Sequence, residues 1–281
     1  MKIAGIYRER QFSNRAVAAD RAILDKALFH LKQDLKSEVT IDLFQACDGA
    51  DIFHLSEVDC ILSMAQGEGI LAQLQNLEHR GVRVVNSVVS IRNCYRQRLS
   101  EILGDGEFSY PAYSVMETGA GGPMQLPFKD GCWVKRGDFH AVADNDVQFI
   151  DDEATLTREM AAYQARGITH VICQENITGH IIKFYGVTDQ FFSYRYMGMT
   201  GPDRYDLPEG LEPKDIDHSA IREQAVVAAR KLGLVFFGGD CIIDSSGGLH
   251  FIDVNDWPSF RSCADEAAYA MSEYILRLFK P

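Results

Sequence analysis

Between Phe236 and Phe260 the run FFGGDCIIDSSGGLHFIDVNDWPSF places three hard oxygen donors on two short apolar segments. Phe236–Asp244 and Leu249–Asn255 favour extended structure, and Ser245-Ser246-Gly247-Gly248 between them is turn chemistry. A four-residue turn sets Asp244 opposite Leu249. Counting back along both strands then sets Asp240 directly opposite Asp253. Asn255, two residues further on, shares the face of Asp253. Carboxylates opposed on one sheet face stand ~5 Å apart and repel each other. A cation between them removes the repulsion. Two carboxylates and an amide oxygen suit Mg²⁺, with water or a phosphate completing its shell. The alternative is a solvated hairpin with acidic ends. Ile242, Phe251 and Ile252 argue against it, because they read as buried neighbours.

A second pair of strands carries the opposite charge. Residues 180–197 read HIIKFYGV-TDQ-FFSYRYM. With Thr188-Asp189-Gln190 as the loop, Val187 faces Phe191 and Lys183 faces Arg195. Two cations on one face ask for an anion between them. A two-residue loop would shift the pairing by one and leave a solvated basic face instead. Upstream, CWVKRGDFH (Cys132–His140) is a short strand with Lys135 near its end, then a loop with Arg136 and His140. Val171–Gln174 is another strand, and its exit through Glu175 offers backbone groups to a base edge. Cations that neutralise phosphates, followed by hard ligands for Mg²⁺, are what transfer of a γ-phosphoryl group requires.

The elements that must hold these residues are legible in outline. Residues 1–90 alternate strand and helix, with strands at Lys2–Tyr7, Val39–Phe44, Asp59–Met64 and Val82–Val85. Helices are expected at Ala16–Leu35, capped by Ser13 or Asn14, and at Gly69–Arg80. That order implies a mostly parallel sheet with ligands at the strands' carboxyl ends. The polar loop Arg8–Arg15 precedes a helix and is a candidate anion site. One helix is expected over Ile91–Leu103, with Arg92, Arg96 and Arg98 on a basic face. Asp152–Gln164, Ser219–Leu232 before Gly233, and the amphipathic Ala264–Phe279 complete the helices. The chain divides into an N-terminal α/β unit (1–90), a central unit (91–175) and a C-terminal unit with the metal site (176–281).

Composition narrows the function classes. The 281 residues are 46% hydrophobic and 24% charged, ordinary for a soluble globular protein. There is no run of about 18 apolar residues to span a membrane, and MKIAGIYRER turns basic too early for a signal peptide. Seven scattered cysteines without a CxxC fit reduced thiols in the cytoplasm and argue against a zinc site. A net charge of −12 disfavours nucleic acid and anionic lipid as partners.

Five of these segments, in this order, resemble the ATP-grasp superfamily, and in pattern the RimK-like glutamate and peptide ligases. GVRVVNSVVSI (81–91) is similar to "Gv.viN...ai", and Val134-Lys135 to "vvKp". VICQENI (171–177) resembles the "lvQefi" adenine hinge, and Lys183 stands at the basic position of "diKvyvvg". Gly239-Asp240 with Ile252–Pro258 resembles "GvDii … viEvN..P". The match covers roughly residues 60–260. The resemblance implies an α/β fold with α+β subdomains and an ATP site between the central and C-terminal units. Arg96 and Lys135 would contact the phosphates, and Gln174, Glu175, Asn176 and Ile177 would frame adenine. Asp240, Asp253 and Asn255 would hold Mg²⁺, for which Mn²⁺ substitutes. Lys183, Arg195 and His140 would face the transferred phosphate or the acceptor. In such ligases a small-molecule carboxylate attacks the γ-phosphate, giving an acyl phosphate and ADP, and an amine then displaces the phosphate. Homo-oligomers are compatible with this reading. Two departures keep other readings open. Asp253 replaces the commoner Glu, and RGDFH (136–140) replaces a Gly-rich flap, so Arg136 and His140 are expected over the phosphates. Both features resemble the inositol-phosphate kinases of the superfamily, which phosphorylate a hydroxyl. A non-catalytic nucleotide-binding regulator is a third reading, opposed by the intact Asp240, Asp253, Asn255, Lys135 and Lys183.

Overall fold

Short apolar strands separated by single helices dictate parallel pairing at the N-terminus, because each return to the sheet passes through a crossover. In the computed structural model, which describes residues 1–13, 16–106, 108–197 and 217–279, four such strands form one sheet. They are β1 (Lys2–Tyr7), β2 (Thr40–Gln45), β3 (Cys60–Ser63) and β4 (Arg83–Val85), all parallel in the order β2-β1-β3-β4. Helix α1 (Val17–Leu35) buries Ile23, Leu24, Ala27, Leu28 and Leu31 on one face. Gly5 lets it approach, since a Cβ there would stand 2.8 Å from Leu28. Neither expected residue caps α1: Ala16 occupies that position, Ser13 bonds to the Asp20 carboxylate, and Asn14 lies outside the described residues. Helix α2 (Glu68–His79) follows β3.

The helix expected over Ile91–Leu103 is two helices. Ser87 caps α3 (Val88–Asn93) by accepting from the Ser90 amide, and α4 (Arg96–Leu103) starts anew. Tyr95 between them is extended (φ −64°, ψ 133°), and its hydroxyl donates to the Gln66 carbonyl at 3.0 Å. That tie to the first sheet turns the chain. Leu99 and Leu103 then pack with Phe184, Phe237 and Phe251 of the C-terminal sheet.

The other two sheets are antiparallel. One comprises β5 (Tyr113–Glu117), β6 (Cys132–Arg136), β7 (Val147–Ile150) and β8 (His170–Glu175), in the order β5-β8-β6-β7. Its core side packs Val134, Val171 and Cys173 against Leu156, Met160 and Tyr163 of α5 (Glu153–Ala165). The last sheet comprises β9 (His180–Val187), β10 (Phe191–Tyr196), β11 (Phe236–Ile243) and β12 (Leu249–Asp256), in the order β10-β9-β11-β12. Helix α6 (His218–Leu232), capped by the Asp217 side chain and ended by Gly233 at φ 78°, packs with α4 on one face. Helix α7 (Ala264–Phe279) lies against the other. Its Ala267, Met271 and Ile275 share a core with Tyr185, Val187, Phe236 and Trp257, and with α1. The first and last sheets are therefore packed through common helices. Asn86 adds a polar tie: its side chain accepts from the Val235 and Phe236 amides and donates to the Phe236 carbonyl. Among the described residues no helix is long and apolar enough to cross a membrane.

Candidate active site

Strand pairing brings the two charged hairpins into one sheet. Arg195 pairs with Lys183, Lys183 with Asp240, and Asp240 with Asp253. The two cations and two carboxylates thus stand side by side across four adjacent strands. The basic hairpin has the expected three-residue loop and register. The acidic hairpin reaches its expected pairing by a different route. Ile243, not Asp244, faces Leu249, so the turn is one residue longer. Asp244 organises it, accepting from the Ser246 and Gly248 amides at 2.8 and 2.9 Å. A bulge between Asp240 and Cys241 then takes the register back by one. Ile252 is the unpaired extra residue, which lets both Ile252 and Asp253 face the same cavity.

That cavity, about 410 Å³, lies between the second and third sheets. Its lining is rich in charge, with Arg96, Lys135, Lys183, Asp240 and Asp253. Lys135 is 7% exposed; its Nζ donates to Gln174 Oε1 at 2.6 Å and to the Ile252 carbonyl at 3.2 Å. Burial pushes this ammonium down to about 8, with Arg96 adding to the effect and Asp253 and Asp240 opposing it. Buried Arg96 places Nη2 4.0 Å from Asp253 Oδ2, and its Nε and Nη1 have no partner. Burial raises the Asp253 carboxyl, but Arg96, His140 and Lys135 outweigh it and hold the group below its ordinary value. Asp240 goes the other way: burial lifts its carboxyl, and Lys183 offsets only some of that lift. Lys183 is itself raised by Asp240, whose Oδ1 lies 3.4 Å from Nζ.

The carboxylates carry the signature of an ion site. Asp253 Oδ1 is buried and accepts no hydrogen bond, and Asp240 Oδ1 has only the Lys183 ammonium at 3.4 Å; an open buried carboxylate oxygen is costly unless a cation completes the pairing. Asn255 stands beside them, donating to Asp253 Oδ2 at 3.2 Å. Among the described residues no three His, Cys, Asp or Glu side chains converge as a metal centre. The donor set is two carboxylates and an amide, which fits a hard divalent cation that takes its other oxygens from phosphate or water.

The apolar part of the lining is Trp133, Val147, Ile181, Met197 and Ile252, with Gln174 and Glu175 among them. Gln174 is buried with its Nε2 unpartnered. Asn176 and Ile177 do not reach the cavity wall. Asn176 acts one step back, accepting from Trp133 Nε1 at 3.0 Å. Trp133 was not among the expected site residues. The signal was present: it lies two residues before Lys135 on a strand, hence on the same face. Ile181 stands in the same relation to Lys183.

Other expected residues lie elsewhere. His140 does not line the cavity, although it stands near enough to Asp253 to lower that carboxyl. Its buried ring turns to Asp256, with Nε2 3.6 Å from Oδ1, and Tyr95 stands edge-on. The loop is held that way by Phe139, whose ring packs tilted against Phe12 of the first unit. Arg136 is engaged by Asp138 and Asp146 and is not free for a phosphate. Arg195 keeps its place in the charged row but is exposed and outside the cavity wall. Of the basic residues 92, 96 and 98, only Arg96 lines the cavity; Arg92 pairs with Glu68, and Arg98 bonds to Asn93. Arg8 in the expected anion loop is held by Asp20 and by the Met64 and Trp257 carbonyls, and Arg15 lies outside the described residues.

Whole-chain comparison decides the fold. The D-alanine–D-alanine ligase from Bacillus anthracis complexed with ATP superposes with a TM-score of 0.70 at 15% identity, covering 99% of this chain and 96% of that one. The chain has the ATP-grasp fold. VanG D-Ala:D-Ser ligase from Enterococcus faecalis gives 0.67 at 15% identity, with 99% of each chain covered. D-cycloserine synthetase DcsG gives 0.69 at 14%, with 100% of each covered. No protein-family model and no curated protein matches the sequence.

Proposed function

We propose that this ATP-grasp protein is an ATP-dependent ligase that joins a small carboxylate to a small amine through an acyl phosphate. One observation carries the reading: two opposed carboxylates, Asp253 with an unpartnered buried oxygen and Asp240 held by Lys183, stand with Lys135 and Arg96 in the wall of a cavity that Trp133 also lines. The apolar part of the lining suits adenine, with Trp133 and Ile252 on its faces and Gln174 and Glu175 at its edge. Lys135, Arg96 and Lys183 neutralise the phosphates. Asp240 and Asp253, with Asn255 beside them, fit Mg²⁺, which would supply charge neutralisation at the β- and γ-phosphates. The protein's own contribution is positioning and a fixed electrostatic field: cations preset where negative charge develops. The units 1–90, 91–175 and 176–281 are read as a preceding α/β domain and the two halves of the ATP site. Sequence patterns at Val171–Ile177 and Asp253–Pro258 favour a RimK-like ligase, and seven free cysteines favour the cytoplasm.

The neighbours named for D-alanine, D-serine and D-cycloserine point to amino-acid-like substrates. The test is ADP release from Mg·ATP over a panel of D- and L-amino acids and dipeptides, with hydroxylamine added. A ligase gives an iron-binding hydroxamate together with ADP. A second reading, a kinase acting on a hydroxyl, rests on Asp253 standing where most ligases carry Glu. ADP release with a polyol phosphate and no hydroxamate would establish that reading instead.

A further inference from the structure

Beyond the metal pair, at the end of the acidic strand, lies a second set of buried polar atoms without partners. His140 is 9% exposed and Asp256 1%. His140 Nδ1 and Nε2 and Asp256 Oδ2 make no hydrogen bond. The other carboxylate oxygen, Asp256 Oδ1, faces the imidazole at 3.6 Å and accepts from Gln66 Nε2 at 3.0 Å. Buried polar atoms are almost always satisfied, so a set left open marks a place for a polar ligand group or ordered water.

Its position says which group. Asp256 is three residues from Asp253 on β12, ~10 Å along the strand. Ala141, next to His140, lines the nucleotide cavity. The loop is pinned where it stands: Gln97 donates its amide to the Gly137 carbonyl at 3.0 Å, and the Phe139 ring centroid is 4.6 Å from that of Phe12 and 5.0 Å from that of Tyr95. The pair therefore sits where all three sheets meet, with Gln66 after a strand of the first, His140 after a strand of the second and Asp256 on the third. It lies outside the cavity lining but close enough to Asp253 for His140 to lower that carboxyl. With nucleotide in the cavity, a group arriving at His140 would be the amine that receives the acyl group. Asp256 behind the ring opposes an incoming carboxylate and favours a group that gives up a proton.

We propose that His140 is the general base for the acceptor amine, and that Asp256 is its positioning residue. This rests on the ligase reading above. The Asp256 carboxylate, with Oδ1 3.6 Å from Nε2, favours the tautomer protonated at Nε2 and leaves the Nδ1 lone pair open. The amine nitrogen forms the new C–N bond to the acyl carbon. The C–O bond to phosphate breaks, and phosphate leaves with that electron pair. The nitrogen's proton passes to His140 Nδ1, and the imidazolium is held against the Asp256 carboxylate. The charge of the ring is balanced where it forms.

The experiment separates the two half-reactions in the full chain, with Mg·ATP and a pool of amino acids that includes D-alanine and D-serine. Dipeptides are quantified by mass spectrometry, and hydroxamates are quantified after hydroxylamine is added. Hydroxylamine is uncharged near neutrality and attacks without a base. Expected for His140→Gln is a loss of dipeptide formation on the order of 100-fold, with hydroxamate falling less than tenfold. Asp256→Asn should lower kcat for dipeptide formation without raising the KM for the amine. Affinity for a fluorescent ATP analogue checks that each variant is folded. Unchanged dipeptide formation, or equal losses of both products, overturns the assignment of His140 while leaving the ligase intact. If the unmodified protein yields neither product, the ligase reading falls and this inference with it.

Discussion

Lys135 is held against its own charge. Burial and the neighbouring Arg96 bring its ammonium down from 10.5 to about 8, although Asp240 and Asp253 are near. The sign of the consequence follows from which state binds more protons. Between about 8 and 10.5 the unfolded chain keeps the proton that the folded chain has lost. Folding stability from this group therefore rises with pH through that window and is absent below it. Phosphate binding has the opposite sign, because a phosphate needs the ammonium. The affinity for ATP should be level below pH about 8 and fall by up to tenfold per unit above it, until the pKa of the liganded state is reached. Fluorescent-nucleotide titrations at several pH values check this, with Lys135→Gln as the weak, pH-insensitive control. An affinity that stays level to pH about 10 would remove Lys135 from the phosphate site.

The acidic hairpin works only if two strands approach closely at one point. Gly239 is that point: a Cβ there would lie 2.1 Å from the Asp253 carbonyl oxygen and 2.7 Å from the Phe184 ring. Gly239→Ala should destabilise the fold by about 1–3 kcal/mol, because backbone must move. It should also weaken nucleotide binding, because the strand that moves carries Asp253. Urea denaturation and nucleotide titration read the two effects, and a midpoint equal to that of the parent would show that the strands separate freely. The pairing of Asp240 with Asp253 was legible in the sequence, but by two offsetting details. The turn is one residue longer than its Ser-Ser-Gly-Gly suggests, since Asp244 closes it, and the bulge at Asp240 restores the register. Neither is encoded in hydrophobic alternation. Strands β5 and β7 were not read from the sequence because both are edges of their sheet and lack alternating burial. The break at Tyr95 depends on a bond to Gln66, 29 residues away, and the turn of His140 depends on Phe12. Local pattern carries no trace of either contact. Trp133 was within reach, because strand alternation from Lys135 points to it.

At the scale of the whole molecule, the cavity is a gap between two separately built cores. The second sheet packs on α5, whereas the third shares its cores with α4, α6, α7 and, through α1, with the first sheet. Asn86 fixes the first sheet to the start of β11 with three hydrogen bonds. Among the described residues no comparable core joins the second sheet to the third. Across that gap the described contacts are polar, as in the Lys135 bond to the Ile252 carbonyl. A nucleotide filling the cavity would touch both sheets at once and supply the cohesion the protein lacks there. Mg·ATP at a hundred times its dissociation constant should then stabilise the folded state by about 2.7 kcal/mol, a rise in Tm of about 4–5 °C for a chain of this size. The rise requires the cation, since the phosphates otherwise meet Asp240 and Asp253 as like charges. ATP with a chelator should give a much smaller shift, and Asp253→Asn should remove the increment due to Mg²⁺ while leaving that due to the base and ribose. Scanning calorimetry of the parent and this variant, with and without Mg²⁺, measures all four cases. A shift that is the same with and without the cation would place the triphosphate away from the carboxylate pair.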